Sequence, residues 1–202
     1  MATGAGEFEA IVLAAGAGSR FGGGKLLAPW MGGVLLDGAL AAAFAAPVGR
    51  VIVVTGADGE AVATAARAFA QRTGEFARLH VVHAEDHAQG MGVSLRRGAA
   101  ELAADCAGVF VLLGDMPRLP HAVLAPLADA VRAGAPAAAP MFESQRGHPA
   151  LIGAELLPGL LALTGDAGAR NILKDLGERL ARVAAPDDGV LFDVDERGDL
   201  AG

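Results

Sequence analysis

The chain has 202 residues, 53% of them hydrophobic and 19% charged, which is typical of a soluble globular protein and compatible with one domain over 1–202. Its formal net charge of -7 argues against nonspecific binding to nucleic acid or to an anionic membrane, because both need a basic surface. We expect no secretory signal and no span of the ~20 apolar residues that cross a bilayer. The single cysteine, Cys106, is expected to be a buried thiol in a reducing cytoplasm.

Short apolar runs alternate along the chain with longer segments rich in alanine and leucine. In chain order the pattern predicts a strand at Glu9–Ala14, a helix at Leu35–Ala45, a strand at Arg50–Thr55, a helix at Gly59–Arg72, a strand at Leu79–His83, a helix at Gly92–Ala104, a strand at Gly108–Leu113, a helix at His121–Ala133, strands at Ala135–Pro140 and Ala150–Ile152, and helices at Ala154–Leu163 and Ala167–Leu176. This alternation predicts an α/β fold of three layers, Rossmann-like, with a mostly parallel central sheet. Ligands of such sheets bind beyond the carboxyl ends of the strands.

A glycine-rich loop, LAAGAGSRFGGGK over 13–25, follows the first predicted strand. Its backbone N–H groups can approach phosphate oxygens closely, and Arg20 and Lys25 can neutralise a triphosphate. A Walker loop is excluded because Ser19 stands where its first glycine belongs and Leu26 follows the lysine. A dinucleotide fingerprint is excluded because Phe21 occupies the third glycine position. A plain flexible turn remains the alternative.

An acidic turn, Gly114-Asp115-Met116-Pro117, ends the most apolar predicted strand. A carboxylate there needs a compensating partner, and Mg²⁺ is commonly held by one or two carboxylates together with substrate phosphates. Asp193 and Asp195 are candidates for a second carboxylate, and we expect them to point to opposite faces so that one of them reaches the metal. An ordinary surface turn at Asp115 and a solvated tail at Asp193 and Asp195 are the alternatives.

Three further segments carry polar residues in loops or at helix starts. Ser94 opens a predicted helix after Gln89-Gly90-Met91, where it can cap the helix or line a pocket. His148 lies in Gly147-His148-Pro149, and Arg170 follows a helix start at which N–H groups can bind an anion. His83 and His87 do not have the spacing of a zinc protease helix, so we expect a polar loop there.

The string Leu13-Ala14-Ala15-Gly16-x-x-x-Arg20-Phe21-Gly22-x-x-Lys25 resembles the signature loop of the molybdenum cofactor cytidylyltransferases and related MobA-like NTP transferases. Gly114-Asp115-Met116-Pro117, the Gly-Met-x-x-Ser-Leu segment and Gly147-His148-Pro149 are similar to further motifs of that family. The carboxyl-terminal Asp-Val-Asp is also similar, but Glu196-Arg197 departs from the Thr-Pro that follows it in the family.

The resemblance implies a nucleotidyltransferase that uses Mg²⁺ to transfer CMP from CTP to the phosphate of molybdopterin and releases pyrophosphate. It favours CTP over GTP because the related guanylyltransferases have Gly-Gly where Ala15-Gly16 stands. Its partners would be small molecules and, as the receiver of the product, a molybdoenzyme or its chaperone. The residues implicated are catalytic Arg20, Lys25 and Asp115; nucleotide-binding Leu13, Ala14, Ala15, Gly16, Gly18, Ser19, Gly90 and Ser94; acceptor-binding His148, Arg170 and Asp193; and metal-binding Asp115 and Asp195.

Three other functions stay open at this point. The chain could use GTP or another NTP with a different phosphorylated acceptor, or it could bind nucleotides without catalysis. A Rossmann-type dehydrogenase is the third alternative, and the missing third glycine disfavours it.

Overall fold

The computed structural model describes residues 8–201. The strands, in chain order, are β1 (Phe8–Ala14), β2 (Pro29–Trp30), β3 (Gly33–Val34), β4 (Val48–Thr55), β5 (Leu79–His83), β6 (Gly108–Leu113), β7 (Ala137–Phe142), β8 (Gln145–Arg146), β9 (Ala150–Gly153) and β10 (Leu180–Ala184). The α-helices are α1 (Leu36–Ala45), α2 (Gly59–Thr73), α3 (Met91–Ala99), α4 (Leu124–Arg132), α5 (Leu157–Leu161) and α6 (Arg170–Asp175).

The central sheet has the strand order β10-β7-β9-β6-β1-β4-β5, with β8 paired to β7. All the pairings between long strands are parallel except those of β9, which runs antiparallel to both β6 and β7. β1 lies between β4 and β6, and its register places Leu13 beside Leu113 and Ala14 beside Thr55. The carboxyl ends of these three strands therefore meet at one edge of the sheet, which is where a ligand is expected.

Helices cover both faces of the sheet, and this makes three layers. Every residue of β1 is buried, and alternate side chains enter the two apolar cores. Val12 packs on the face covered by α1, α2 and α4, whereas Ile11 packs on the face covered by α3, α5 and α6. α3 lies very close to the sheet, because a Cβ on Gly98 would be 2.8 Å from the Val54 side chain. The predicted fold class is confirmed.

Several predicted boundaries are wrong for local reasons. The strand predicted at Ala135–Pro140 is β7, which starts two residues later because the Ala135 N–H closes the end of α4 on the Ala130 carbonyl. The helix predicted at Ala167–Leu176 begins only at Arg170, after Gly168 adopts a φ of 49°. The helix predicted to reach Ala104 ends at Ala99, since the chain must turn back to enter β6.

Other elements were not predicted. Edge strand β10 is short and half exposed, which gives it a weak sequence signal, and the β2–β3 hairpin and β8 have two residues per strand. Ala154–Leu156 is a 3-10 turn before α5, which has a proline in its first turn, so the helix predicted at Ala154–Leu163 is much shorter. No helix within residues 8–201 is long and apolar enough to cross a membrane.

Candidate active site

The acidic turn after β6 is held directly against the end of β1. The Gly114 N–H donates to the Leu13 carbonyl at 2.9 Å, and a Cβ on Gly114 would come within 3.0 Å of that oxygen. Met116 is buried, and Pro117 packs so closely on α1 that a Cβ on Gly38 would lie 2.3 Å from the Pro117 carbonyl oxygen. These contacts fix the turn on which Asp115 stands.

The glycine-rich loop folds around one carbonyl group. The oxygen of Gly18 accepts hydrogen bonds from the N–H groups of Phe21, Gly22 and Gly23 at 3.0 to 3.2 Å. Gly18 has a φ of 56°, and a Cβ there would be 2.9 Å from Cβ of Lys25, so this position favours glycine on two grounds. The compact loop delivers Lys25 to the first position of a 3-10 turn, Lys25–Leu27, with its side chain directed at the strand ends.

Two ion pairs join the loop to the acidic residues. Lys25 Nζ lies 2.7 Å from Asp115 Oδ2 and 3.8 Å from Asp195 Oδ1, and Arg20 Nη1 lies 2.9 Å from Asp195 Oδ2. The Lys25–Asp115 pair is half-buried, whereas the Arg20–Asp195 pair is largely exposed. Residues 175 positions apart in the sequence therefore meet at one place, and the predicted catalytic residues are brought together.

The segment that carries Asp193 and Asp195 crosses over the acidic turn. The Val194 N–H donates to the Asp115 carbonyl at 3.1 Å, and the Val194 side chain is buried with Phe21 and Leu35. The expectation that the two aspartates point to opposite faces is wrong, because residues i and i+2 of an extended segment share a face. Both carboxylates are close enough to Asp115 and Lys25 to interact with them electrostatically.

These carboxylates fit a divalent cation. Partial burial raises the pKa of Asp193 above its usual value, and the negative charges of Asp115 and Asp195 raise it further. Such crowding indicates more acid than the local cations neutralise. Hard carboxylate oxygens of this kind, supplemented by phosphate oxygens and water, are the ligands that Mg²⁺ takes. No ready-made set of three or more His, Cys, Asp or Glu ligands exists within residues 8–201, so phosphate oxygens would have to complete the site.

A cavity of about 540 Å³, which we call the loop cavity, opens beside the glycine-rich loop. The predicted nucleotide residues on its wall are Leu13, Ala15, Gly16, Ser19, Gly90 and Ser94, together with Asp115. Gly18 instead lines a smaller adjoining pocket of about 200 Å³ with Ser19, Arg20, Lys25 and Asp195. The Ala14 side chain is 2% exposed and points into the core, so only its backbone is near the loop.

The segment over the loop cavity is held by glycine contacts. A Cβ on Gly90 or Gly92 would come within 2.8 Å of the backbone of Gly165, and the Gly92 N–H donates to the Gly165 carbonyl at 2.7 Å. Ser94 is buried at the cavity wall in the first turns of α3. His87, which sequence reasoning placed in an ordinary polar loop, also lines the cavity, and its ring lies 6.3 Å from that of His83.

A second cavity of about 390 Å³, which we call the arginine cavity, adjoins the first and shares Leu13 and Leu113 with it. The predicted acceptor residues His148 and Arg170 line it, whereas Asp193 faces Asp115 instead. Arg146 and Asp166 also line it, and sequence reasoning had not assigned them. The signal for Arg146 was its position directly before the Gly147-His148-Pro149 motif.

His148 is anchored in the wall of the arginine cavity. Its backbone N–H donates to the Val190 carbonyl at 2.8 Å, and the peptide bond to Pro149 is cis. Its Nδ1 atom is buried without a hydrogen-bond partner among residues 8–201. Burial lowers the pKa of His148, and the nearby positive charges of Arg146 and Arg170 also lower it, so the ring is neutral near pH 7.

Comparison with known proteins is consistent with this geometry. The family described as the MobA-like NTP transferase domain matches residues 10–183. The nicotine blue oxidoreductase of Paenarthrobacter nicotinovorans is 33% identical over 193 residues, which cover 92% of this chain and 90% of that protein. The molybdenum cofactor cytidylyltransferase of Escherichia coli K12 is 30% identical over 144 residues, covering 71% of this chain and 69% of the relative.

The fold also matches solved structures. The structure of Rv0371c from Mycobacterium tuberculosis H37Rv superposes with a TM-score of 0.81 at 25% identity, covering 98% of this chain and 97% of that one. That mycobacterial protein has also been solved in complex with manganese.

Proposed function

Because the chain belongs to the MobA-like NTP transferase family, we propose that it transfers CMP from CTP to the phosphate of molybdopterin or of the molybdenum cofactor, with release of pyrophosphate. The contact that carries this proposal is the 2.7 Å pair between Lys25, which lines the smaller adjoining pocket, and Asp115, on the wall of the loop cavity. It puts a cation for phosphate and a carboxylate for a metal at adjacent strand ends. We also propose a cytoplasmic location, where a thiol such as that of Cys106 stays reduced.

In the proposed reaction, an oxygen of the acceptor phosphate forms a bond to the α-phosphorus of the nucleotide. The bond from that phosphorus to the bridging oxygen breaks, and pyrophosphate leaves with the electron pair. A phosphate monoester is already largely ionised at pH 7, because its second pKa is about 6, so no general base is needed. Catalysis then depends on alignment and on neutralising charge.

Different residues bind the phosphates, the metal ion and the nucleoside in this proposal. Lys25 exchanges Asp115 for phosphate oxygens when the nucleotide binds, and Arg20 likewise leaves Asp195, so that two cations face the departing pyrophosphate. The N–H groups of the glycine-rich loop hold the triphosphate. Mg²⁺ or another divalent cation held by Asp115 and by Asp195 or Asp193 would withdraw charge from the phosphate oxygens. Ser94 and Gly90 line the space available for the nucleoside.

A second candidate function is reduction by a nicotinamide dinucleotide, since the first relative described above is called an oxidoreductase and matches over nearly its whole length. The acidic residues weigh against it. Hydride transfer needs no cluster of Asp115, Asp193 and Asp195 beside the phosphates, and these carboxylates would repel a pyrophosphate that arrives without a metal ion.

The test is a pyrophosphate-release assay with each of the four NTPs, with and without molybdopterin, in Mg²⁺ and in Mn²⁺. We expect release that requires molybdopterin and a divalent cation and is fastest with CTP. NADH and NADPH oxidation are followed in parallel. Acceptor-dependent release with another NTP would correct only the base preference. Binding of CTP without release would establish the non-catalytic alternative and overturn the proposal, as would NAD(P)H oxidation without pyrophosphate release.

A further inference from the structure

Three spaces lie in a row along the carboxyl edge of the sheet. The loop cavity meets the arginine cavity at Leu13 and Leu113, on the central strands β1 and β6. The arginine cavity in turn shares Arg146 and Leu173 with a wide surface trough of about 840 Å³. That trough, here called the edge trough, lies against β7, β8 and β10, at the side of the sheet. An acceptor that reaches the nucleotide through the arginine cavity therefore has its far end near Arg146.

The arginines of this cavity have no acidic partners. Arg146 and Arg170 make no salt bridge and no side-chain hydrogen bond within residues 8–201, although both line the same cavity. Lys174 and Arg182, in the edge trough, are also without an ion pair there. Asp166 is the one carboxylate on the described wall of the arginine cavity, and it packs against Gly90 rather than pairing with an arginine.

Of the two guanidiniums, Arg170 is exposed to solvent, so only Arg146 loses hydration in the absence of a ligand. Arg146 is partly buried, and burial lowers the pKa of its guanidinium, as does the positive charge of Arg170 close by. Each guanidinium on this cavity wall offers planar N–H donors, which suit a phosphate, carboxylate or similar oxyanion.

Apart from Asp166, the rest of the cavity wall adds no charge. His148 is neutral near pH 7, and the other wall residues around it, such as Leu95, Val111 and Leu173, are apolar. The cavity is thus a largely apolar chamber lined by two cations, of which Arg146 also lines the edge trough. An apolar body with a negative group at its far end is complementary to that chamber.

We propose that Arg146 and Arg170 form a second anion-binding site, distinct from the glycine-rich loop, and that the acceptor carries a second anionic group at the end remote from its attacking phosphate. The identification of this ligand as the acceptor rests on the proposed nucleotidyl transfer. Arg146 is then a specificity-determining residue, since it distinguishes a dianionic acceptor from a phosphate with a neutral tail. Lys174 and Arg182 line the edge trough together with one carboxylate, Glu143, so that positive side chains outnumber negative ones there.

The experiment uses the full chain and simple probes of stated chemistry. Alkane-1,ω-bisphosphates of increasing chain length and the matching alkyl monophosphates are titrated by calorimetry, without nucleotide or metal. The variants are R146Q, R170Q and the double variant. R179Q is the matched control, because Arg179 is also exposed and unpaired within residues 8–201 but lines none of the three spaces.

We expect one chain length at which the bisphosphate binds at least about tenfold more tightly than the monophosphate, as two charge-assisted contacts predict. R146Q and R170Q should abolish this preference, and R179Q should retain it. A preference that survives in the double variant, or is absent at every chain length, overturns the proposal. CTP binding in Mg²⁺ is measured on the same samples, because it depends on the glycine-rich loop. A lost CTP site with an intact bisphosphate preference would count against the proposed function and leave the anion site standing.

Discussion

The glycine-rich loop and the arginine cavity use positive charge in opposite ways. In the glycine-rich loop both cations are paired, Lys25 with Asp115 and Arg20 with Asp195. In the arginine cavity neither Arg146 nor Arg170 has an acidic partner within residues 8–201. A paired cation must exchange its carboxylate partner for an anion of the ligand, whereas an unpaired cation gains an anionic partner when the ligand binds. We infer that Lys25 and Arg20 can bind phosphate only when a metal ion takes over their carboxylate partners. Arg146 and Arg170 can bind an anion without such an exchange.

The largest expected effect comes from the carboxylate shared by Lys25 and the proposed metal. D115N should lower the rate of pyrophosphate release by about 100-fold or more, which is the scale for losing a group that organises charge in the transition state. Stability should change little, because Lys25 keeps Asp195 at 3.8 Å. Steady-state assays measure the rate of pyrophosphate release, and thermal unfolding measures the stability. D129N, in an exposed pair with Arg132, is the control, and equal activities of the two variants would remove Asp115 from the mechanism.

A substitution at Arg20 tests whether the exposed pair with Asp195 contributes to nucleotide binding rather than to stability. R20Q should raise KM for the nucleotide about tenfold, as expected for one charge-assisted phosphate contact. Its unfolding free energy should be unchanged, since the Arg20 side chain is 74% exposed and surface pairs contribute little. R67Q, which breaks the surface pair with Glu60, should alter neither quantity. A loss of stability in R20Q without a change in KM would make Arg20 structural.

The neutral ring of His148 gives a pH-dependent test of the arginine cavity. Its pKa in the folded state is lowered, so on acidification the unfolded chain takes up the proton first, near pH 6.5. The stability associated with the neutral ring is therefore complete above about pH 6.5 and is lost as the pH falls through the lower folded pKa. Urea unfolding at stepped pH should show this slope in the wild type, and H148Q should reduce it. H121Q should keep it, and an unchanged slope in H148Q would show that the ring is not protected from protonation.

The smallest expected effect is on stability, when the unpaired Arg146 loses its charge. R146Q should leave the ligand-free protein as stable as the wild type or more stable by a few tenths of a kcal/mol, because it relieves repulsion from Arg170. Added salt should erase the gain by screening. Urea unfolding at low and high salt gives the comparison. A clear destabilisation would mean that Arg146 has a structural role that its contacts do not reveal.

Much of the fold was predictable because its signals are local. The central strands have apolar side chains on both faces, as Val109–Leu113 does, and the long amphipathic α2 was predicted to within one residue. The motifs around Lys25 and Asp115 were predictable for the same reason, since each follows a strand whose end is fixed by the sheet. Edge strand β5 was also predicted, at Leu79–His83, whereas β10 and β8 were not, because both are short and pair with β7 at the margin of the sheet.

The sequence by itself determined the parallel α/β layers, the glycine-rich loop with its two cations, and the acidic turn, because periodicity and glycine placement act within a few residues. Only the tertiary structure decided that the segment with Asp193 and Asp195 returns to Asp115, and that Arg146 and Arg170 share one cavity without pairing with its carboxylate Asp166. Electrostatic interactions act through space between residues far apart along the chain, so pairing and its absence emerge only when the sheet has brought those residues together.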